Sequence, residues 1–298
     1  MRVLVLGPGG IKGLCYLGAL RAFEEKNALT TYFNSFYGVS IGSIICLLIT
    51  CGYSIPEIIN ATFKYDFFKD LTNFDFKQMM NLNLGLGLLS NTNLKNLLEK
   101  LIIDKISYIP NLASLKLMTG VDLNIVVYNF TQNRCEVMNA GNSGNISCIE
   151  AALCSVNFPI IFKPMTIEEN LYLDGSFINP FPLDLAREKY PNAEIIGIVT
   201  ESYVSNHNFN ILDYLHAIFD APLRQLINKN IQKADCHVLI LNAPSATFSA
   251  TLEVKNGMLV QSYHDALRFM EDLKDSNSVL IDPFDFNSPM LPSAELIL

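Results

Sequence analysis

A serine between two glycines, in the run Gly38-Val39-Ser40-Ile41-Gly42, constrains this chain more than any other stretch. Before it, Tyr32 to Tyr37 can end in a short strand. After it, Ser43-Ile44-Ile45-Cys46-Leu47-Leu48-Ile49 is apolar on every face, which predicts a deeply buried helix. So abrupt a turn brings backbone segments together, and side chains at positions 38 and 42 would collide with neighbouring main chain. Glycine removes the collision. The spacing is that of a G-x-S-x-G nucleophile elbow. Its serine projects at the amino end of the helix, where the dipole and unpaired N–H groups favour the negative charge of an attacked ester. An ordinary strand-to-helix turn with a capping serine has the same short pattern. The rest of the chain separates the two.

With 298 residues, the chain can bury about three quarters of its unfolded surface. No Gly/Ser-rich or Pro-rich linker interrupts residues 1–280, so the expectation is one α/β domain over 1–282 and a proline-bearing tail over 283–298. Half the residues are hydrophobic and 17% are charged. That balance suits a buried, mostly parallel sheet and leaves room for a greasy substrate channel. A net charge of −8 argues against nucleic acid as a partner and against broad attraction to anionic membranes. The seven cysteines are scattered without a CxxC pair, as expected of buried free thiols in a reducing compartment. The first apolar run stops at Gly7, too short for a signal-peptide core. The run from Ile44 to Ile49 is too short to span a bilayer. The expected location is cytoplasmic, at most peripheral at membranes.

Val3-Leu4-Val5-Leu6 reads as an interior parallel strand. It feeds Gly7-Pro8-Gly9-Gly10-Ile11-Lys12-Gly13 and then a helix with Leu14, Leu17, Leu20 and Phe23 on one stripe. A glycine-rich loop at that junction offers unpaired N–H groups to an anion. The dinucleotide fingerprint needs glycine where Lys12 stands, and the P-loop needs Ser/Thr after its lysine, where this chain has Gly13 and Leu14. The developing oxyanion of an acyl transfer remains, beside a purely structural tight turn.

Farther on, Ile55 to Phe63 predicts a helix, and residues 63–80 crowd aromatics and methionines among charges. That pattern fits either an interfacial lid or an ordinary packed layer. Gly85 to Leu89 reads as a loop ahead of a helix over 94–102 capped by Ser90 or Asn91. Strands are expected at 122–130, 135–139, 171–173, 195–199 and 237–241. Helices are expected at 149–156, 183–189, 211–234 and 261–273.

A serine hydroxyl needs a base to take its proton. All four histidines, His207, His216, His237 and His264, come late, and none lies in a glycine-rich strand-end loop. Asp174 does, at the end of Leu171-Tyr172-Leu173 and before Gly175. A turn aspartate holding its own backbone is the other reading of that position.

Taken together, Gly9-Gly10-Ile11-Lys12-Gly13, Gly38-Val39-Ser40-Ile41-Gly42 and Asp174-Gly175 stand in the order of the patatin-like phospholipases, which this chain resembles. Gly87-Leu88-Leu89-Ser90, Cys154-Ser155 through Pro159, Phe162 and Pro164, and Asn179-Pro180 are similar to that family too. The likeness spans roughly residues 3 to 200. It implies a three-layer α/β/α fold with Ser40 as nucleophile and Asp174 as proton acceptor of a Ser-Asp dyad. It further implies an oxyanion hole from the amides of Gly9, Gly10, Ile11 and Lys12, with Gly13, Gly38, Gly42 and Gly175 as motif glycines. The implied reaction is hydrolysis of a fatty-acyl ester of a membrane or micellar lipid, of phospholipase A or lysophospholipase type, without metal or cofactor. A short-chain esterase or thioesterase, or a silent lipid-binding module, are the other readings. Three positions depart from the family's pattern: Pro8 for a glycine, Asn157 for a small residue, and Ser176 after Asp174-Gly175.

Overall fold

The computed structural model describes residues 1–65, 87–201, 211–233, 235–244 and 250–276. The stretch from 66 to 80, His207 and the tail over 283–298 lie outside them. The strands are β1 (Arg2–Leu6), β2 (Ser35–Val39), β3 (Gly87–Leu89), β4 (Asp122–Asn129), β5 (Arg134–Met138), β6 (Ile160–Phe162), β7 (Met165–Ile167), β8 (Asn170–Asp174), β9 (Glu194–Glu201) and β10 (His237–Asn242). The helices are α1 (Gly13–Glu24), α2 (Leu29–Tyr32), α3 (Ile41–Thr50), α4 (Ile55–Tyr65), α5 (Thr92–Ile106), α6 (Leu112–Thr119), α7 (Cys148–Ser155), α8 (Leu183–Lys189), α9 (Ile211–Lys233) and α10 (Leu252–Ser276).

Eight strands form the main sheet, ordered β10-β9-β1-β2-β4-β8-β7 with β5 also on β4. The core pairs β10/β9, β9/β1, β1/β2 and β2/β4 are parallel; β4/β5, β4/β8 and β8/β7 are antiparallel. Period-two alternation sends side chains to both faces. Leu4, Leu6, Phe36, Ile196 and Ile198 enter one core with α1, α3, α4 and α7, whereas Val3, Val5, Tyr37, Val39 and Ile195 enter a second with α8 and α9. The continuous apolar runs of β1 and β9 follow from that two-sided burial. The result is the expected three-layer α/β/α arrangement. No helix among the described residues is long and apolar enough to cross a membrane.

Three local expectations change. Residues 87–89 are not loop, because β3 pairs in parallel with β6 in a separate two-stranded sheet. Strands of three residues are too short to show a period, and only the distant partner defines them. Tyr32 closes the short helix α2 instead of leading into β2. Helix α10 begins at Leu252, well before Gln261.

Helix α10 packs along α1 at a crossing made by Gly18. A Cβ there would lie 2.2 Å from both the Leu259 carbonyl oxygen and Ser262 Oγ. Ser262 is pinned, its hydroxyl donating to Met258 O at 2.5 Å. Gly18→Ala must therefore push the two helices apart, an overpacking change that costs about 1–3 kcal/mol. Thermal denaturation should show a lowered Tm; an unchanged Tm would mean the crossing is loose.

Candidate active site

The pairing registers explain how two distant residues meet. β4 pairs with β2 over Asp122–Val126, with β5 over Ile125–Asn129 and with β8 over Val127–Asn129. A strand has two edges, and β5 overlaps both other partners along β4. β2 and β8 must therefore share the opposite edge, end to end. Val39 sits across from Val126 and Asp174 across from Val127. The carboxyl end of β2 meets that of β8, and Ser40 comes up against Asp174.

Ser40 is the first residue beyond β2 and has φ 54°, ψ −127°. For a residue with a side chain this conformation is strained by an amount on the order of 1–3 kcal/mol. The neighbourhood holds it there. Its N–H donates to Ser155 Oγ at 3.0 Å, and the Ser155 hydroxyl donates to Val126 O at 2.7 Å. Its carbonyl accepts from the Ser43 hydroxyl at 2.6 Å and the Ser43 N–H at 2.8 Å. Gly38 and Gly42 leave no room for a side chain: a Cβ would lie 2.4 Å from Ser43 Cα at the first, and 2.7 Å from the Leu6 and Gly7 carbonyl oxygens at the second. Gly175 is tighter still, with Val126 O at 2.3 Å.

Asp174 is fully buried. Its N–H donates to Asn157 O at 3.0 Å, and its Oδ1 accepts from the Ser176 N–H at 2.8 Å, while the buried Oδ2 has no hydrogen-bond partner. Burial raises its pKa to about 6; the nearby Ser40 hydroxyl and the Ser176 backbone and hydroxyl oppose that rise by favouring the charged form. The Ser40 hydroxyl is close to the carboxylate without forming a well-aligned bond, as is common before substrate binds.

Gly10–Lys12 is a 3₁₀ turn whose first residue has φ 53°. The Lys12 N–H closes the turn on Gly9 O at 2.9 Å. The Lys12 amide, one of the four expected to hold an oxyanion, is therefore already engaged. Ile41, the residue after the serine, is the first of α3, so its N–H has no partner within that helix; sequence reasoning did not single it out. Pro8 supplies no N–H, and its carbonyl is tied by the Tyr16 hydroxyl at 2.7 Å. Gly13 packs against Ile41, whose side chain would lie 2.6 Å from a Cβ. The Lys12 amine is pulled below its ordinary range by burial, which Asp220 of α9 counteracts and Arg224 of α9 reinforces.

Asn157, a departure from the family's pattern, is a buried tie. Its Nδ2 donates to Tyr172 O at 3.0 Å and its Oδ1 accepts from Asn91 Nδ2 at 3.2 Å. It thereby joins the start of α5 to the strand that carries Asp174. The sequence singles out Ser155 only as part of the segment that resembles the family, without a role for its hydroxyl. Two described histidines lie away from the site: His237 opens β10 at the opposite end of the sheet, and His264 is exposed on α10 against Tyr263. His216 belongs to α9. Among the described residues no three His, Cys, Asp or Glu side chains gather as a metal-ligand set. A small apolar crevice lies between α1, α3 and α4, with Gly13 and Ile41 in its wall.

Comparison with known proteins gives this geometry a lineage. A relative in Invertebrate iridescent virus 6, named probable lipid hydrolase 463L, is 32% identical over 196 residues, 64% of this chain. The chain thus spans less than two thirds of that relative, 64% of its length. Two solved structures share the fold: VipD from Legionella pneumophila (TM-score 0.58, 14% identity, 91% of this chain and 67% of that one) and ExoU in its heterodimeric complex with SpcU from the Pseudomonas aeruginosa type III secretion system (TM-score 0.56, 18% identity, 91% and 51%). The family model for patatin-like phospholipases matches residues 4–187, well over half the chain. On that match, the chain belongs to the patatin-like phospholipase family.

Proposed function

We propose that this protein is a lipid acyl-ester hydrolase of phospholipase A or lysophospholipase type, with residues 1–282 as its catalytic domain. The reading rests above all on one observation: a strained serine and a buried aspartate sit at abutting strand ends on one edge of β4. In this reading the Ser40 hydroxyl gives its proton to the Asp174 carboxylate as its oxygen attacks the ester carbonyl. The charge that develops is met by the amides of Gly9, Gly10, Ile11 and Ile41 at the amino ends of two helices. Collapse of the intermediate expels the alcohol, protonated by Asp174, and leaves an acyl group on Ser40. Water, deprotonated by the same carboxylate, releases the fatty acid. The family and the relative's name support a lipid substrate.

A carboxylate is a weak base near neutrality, and burial corrects this by raising its proton affinity. Only the ionised form can accept the serine proton, so kcat/KM should fall as pH drops through about 6. Asp174→Asn keeps the shape and the Ser176 contact but removes the base. It should lower turnover of a chromogenic acyl ester on the order of 10²-fold or more. An active Asp174→Asn protein, or a profile with no inflection near pH 6, contradicts the dyad.

The same substitution should stabilise the fold. The carboxyl has pKa about 6 when folded and ~3.9 when unfolded. The ionised group therefore opposes folding in full above about pH 6, and the opposition fades between about pH 6 and ~4 and is gone in stronger acid. Asp174→Asn should gain on the order of 2 kcal/mol above pH 6 and nothing in acid. A Tm that drops at neutral pH would show that the carboxylate is a structural anchor.

A further inference from the structure

The outer edge of β8 changes partner just before Asp174. β7 covers that edge only over Asn170–Tyr172. Asn157, in the turn after α7, takes over: its carbonyl accepts the Asp174 N–H at 3.0 Å, and its Nδ2 donates to Tyr172 O at 3.0 Å. A small residue at position 157 could supply the carbonyl but no donor for Tyr172. The side chain is held from behind by Asn91, whose Nδ2 donates to Asn157 Oδ1 at 3.2 Å. That bond has a cost. Asn91 stands at the N-cap of α5, where an asparagine oxygen ordinarily accepts a first-turn N–H. Here it caps nothing: Ser90 Oγ takes the Thr92 N–H at 3.2 Å, and the buried Asn91 Oδ1 has no hydrogen-bond partner. An asparagine serving α5 alone would turn its oxygen to the helix. Asn157 and Asp174 are both fully buried. The groups facing the Asp174 carboxyl are Ser40 and Ser176, with Val127 of β4 as its registered neighbour; among the described residues none brings a charge. Dryness is therefore what raises its proton affinity.

Resting on the hydrolase reading above, we propose that Asn157 is a positioning residue for Asp174, locked in place by Asn91. Its side chain fixes the end of β8 and keeps water from the carboxylate. Asn157→Ala would remove the carboxamide and leave Tyr172 O and Asn91 Nδ2 facing the gap. Two polar partners are enough to hold a water in such a space. That water would lie beside the strand end that carries the base, so the carboxylate would regain hydration and lose proton affinity. The Asn91 amide keeps the Asn157 side chain from swinging away, so Asn91→Ala should act in the same direction and less.

Two readouts follow Asp174, one through turnover and one without it. Wild-type kcat/KM for a soluble chromogenic ester should inflect near pH 6, and Asn157→Ala should move that inflection down by about one pH unit or more. Above neutrality, with the carboxylate ionised in every variant, kcat should fall about tenfold in Asn157→Ala while KM holds, because a weaker base is a poorer catalyst. The side-chain carboxyl carbon of Asp174, followed by NMR in isotope-labelled protein and assigned with Asp174→Asn, should titrate at the same pH values. Asn91→Ala, at the half-exposed start of a helix, should lower both readings by a smaller step, and it carries the test if Asn157→Ala does not fold. An Asp174 titration that stays put in Asn157→Ala, or in Asn91→Ala where only that protein folds, overturns the proposal whatever happens to Tm. So does a shifted titration with kcat unchanged. A wild type that turns over no ester removes the hydrolase reading instead. The carboxyl titration then decides alone, a fall in Asn157→Ala supporting the seal and a constant value overturning it.

Discussion

One edge of a single strand, β4, carries two other strands end to end, and the chemistry at the candidate site follows from that arrangement. β2 arrives from one direction and stops at Val39; β8 arrives from the other and stops at Asp174. Neither can continue, since each occupies the lane the other would need. The first must turn sharply into α3 and the second into the 3₁₀ turn Gly175–Phe177. Val126 is the shared post: its carbonyl accepts the Ser155 hydroxyl and fits against Gly175. A strand edge is rigid, so the distance between the two candidate groups is set by backbone pairing and not by flexible side chains.

That rigidity is what makes two unfavourable features tolerable. Ser40 sits at positive φ, and Asp174 loses its hydration with one oxygen unpartnered. Either alone would be removed by a small local rearrangement. Here a rearrangement would break the Ser155 bridge, the Asn157 tie and the glycine contacts together. The strain and the raised pKa are thus two costs of one geometry, both stabilised by the large core around α1 and α3.

Much of this was legible in the sequence where a local signal existed. The apolar runs of β1 and β9, the stripe of α1 and the glycines around Ser40 each reflect a constraint within a few residues, and each element lies close to its expected span. The aspartate was legible because a strand end followed by glycine is itself local. The end-to-end meeting of β2 and β8 was not, because it depends on which edge of β4 each strand takes. Nor were β3 and β6, whose three-residue lengths show no period. The roles of Ser155 and Asn157 were hidden for the same reason, their partners lying on other strands. Lys12 illustrates a finer limit: a glycine-rich loop announces donors, but only the fold shows that one of them closes the turn.

The central claim is that Ser40, held at the end of β2, is the nucleophile. Its most direct test is mass-spectrometric mapping of the adduct formed with an active-site-directed alkyl fluorophosphonate. The account predicts a single adduct on Ser40, absent from Ser40→Ala and slowed in Asp174→Asn. An adduct on another residue, with ester turnover intact in Ser40→Ala, would contradict it.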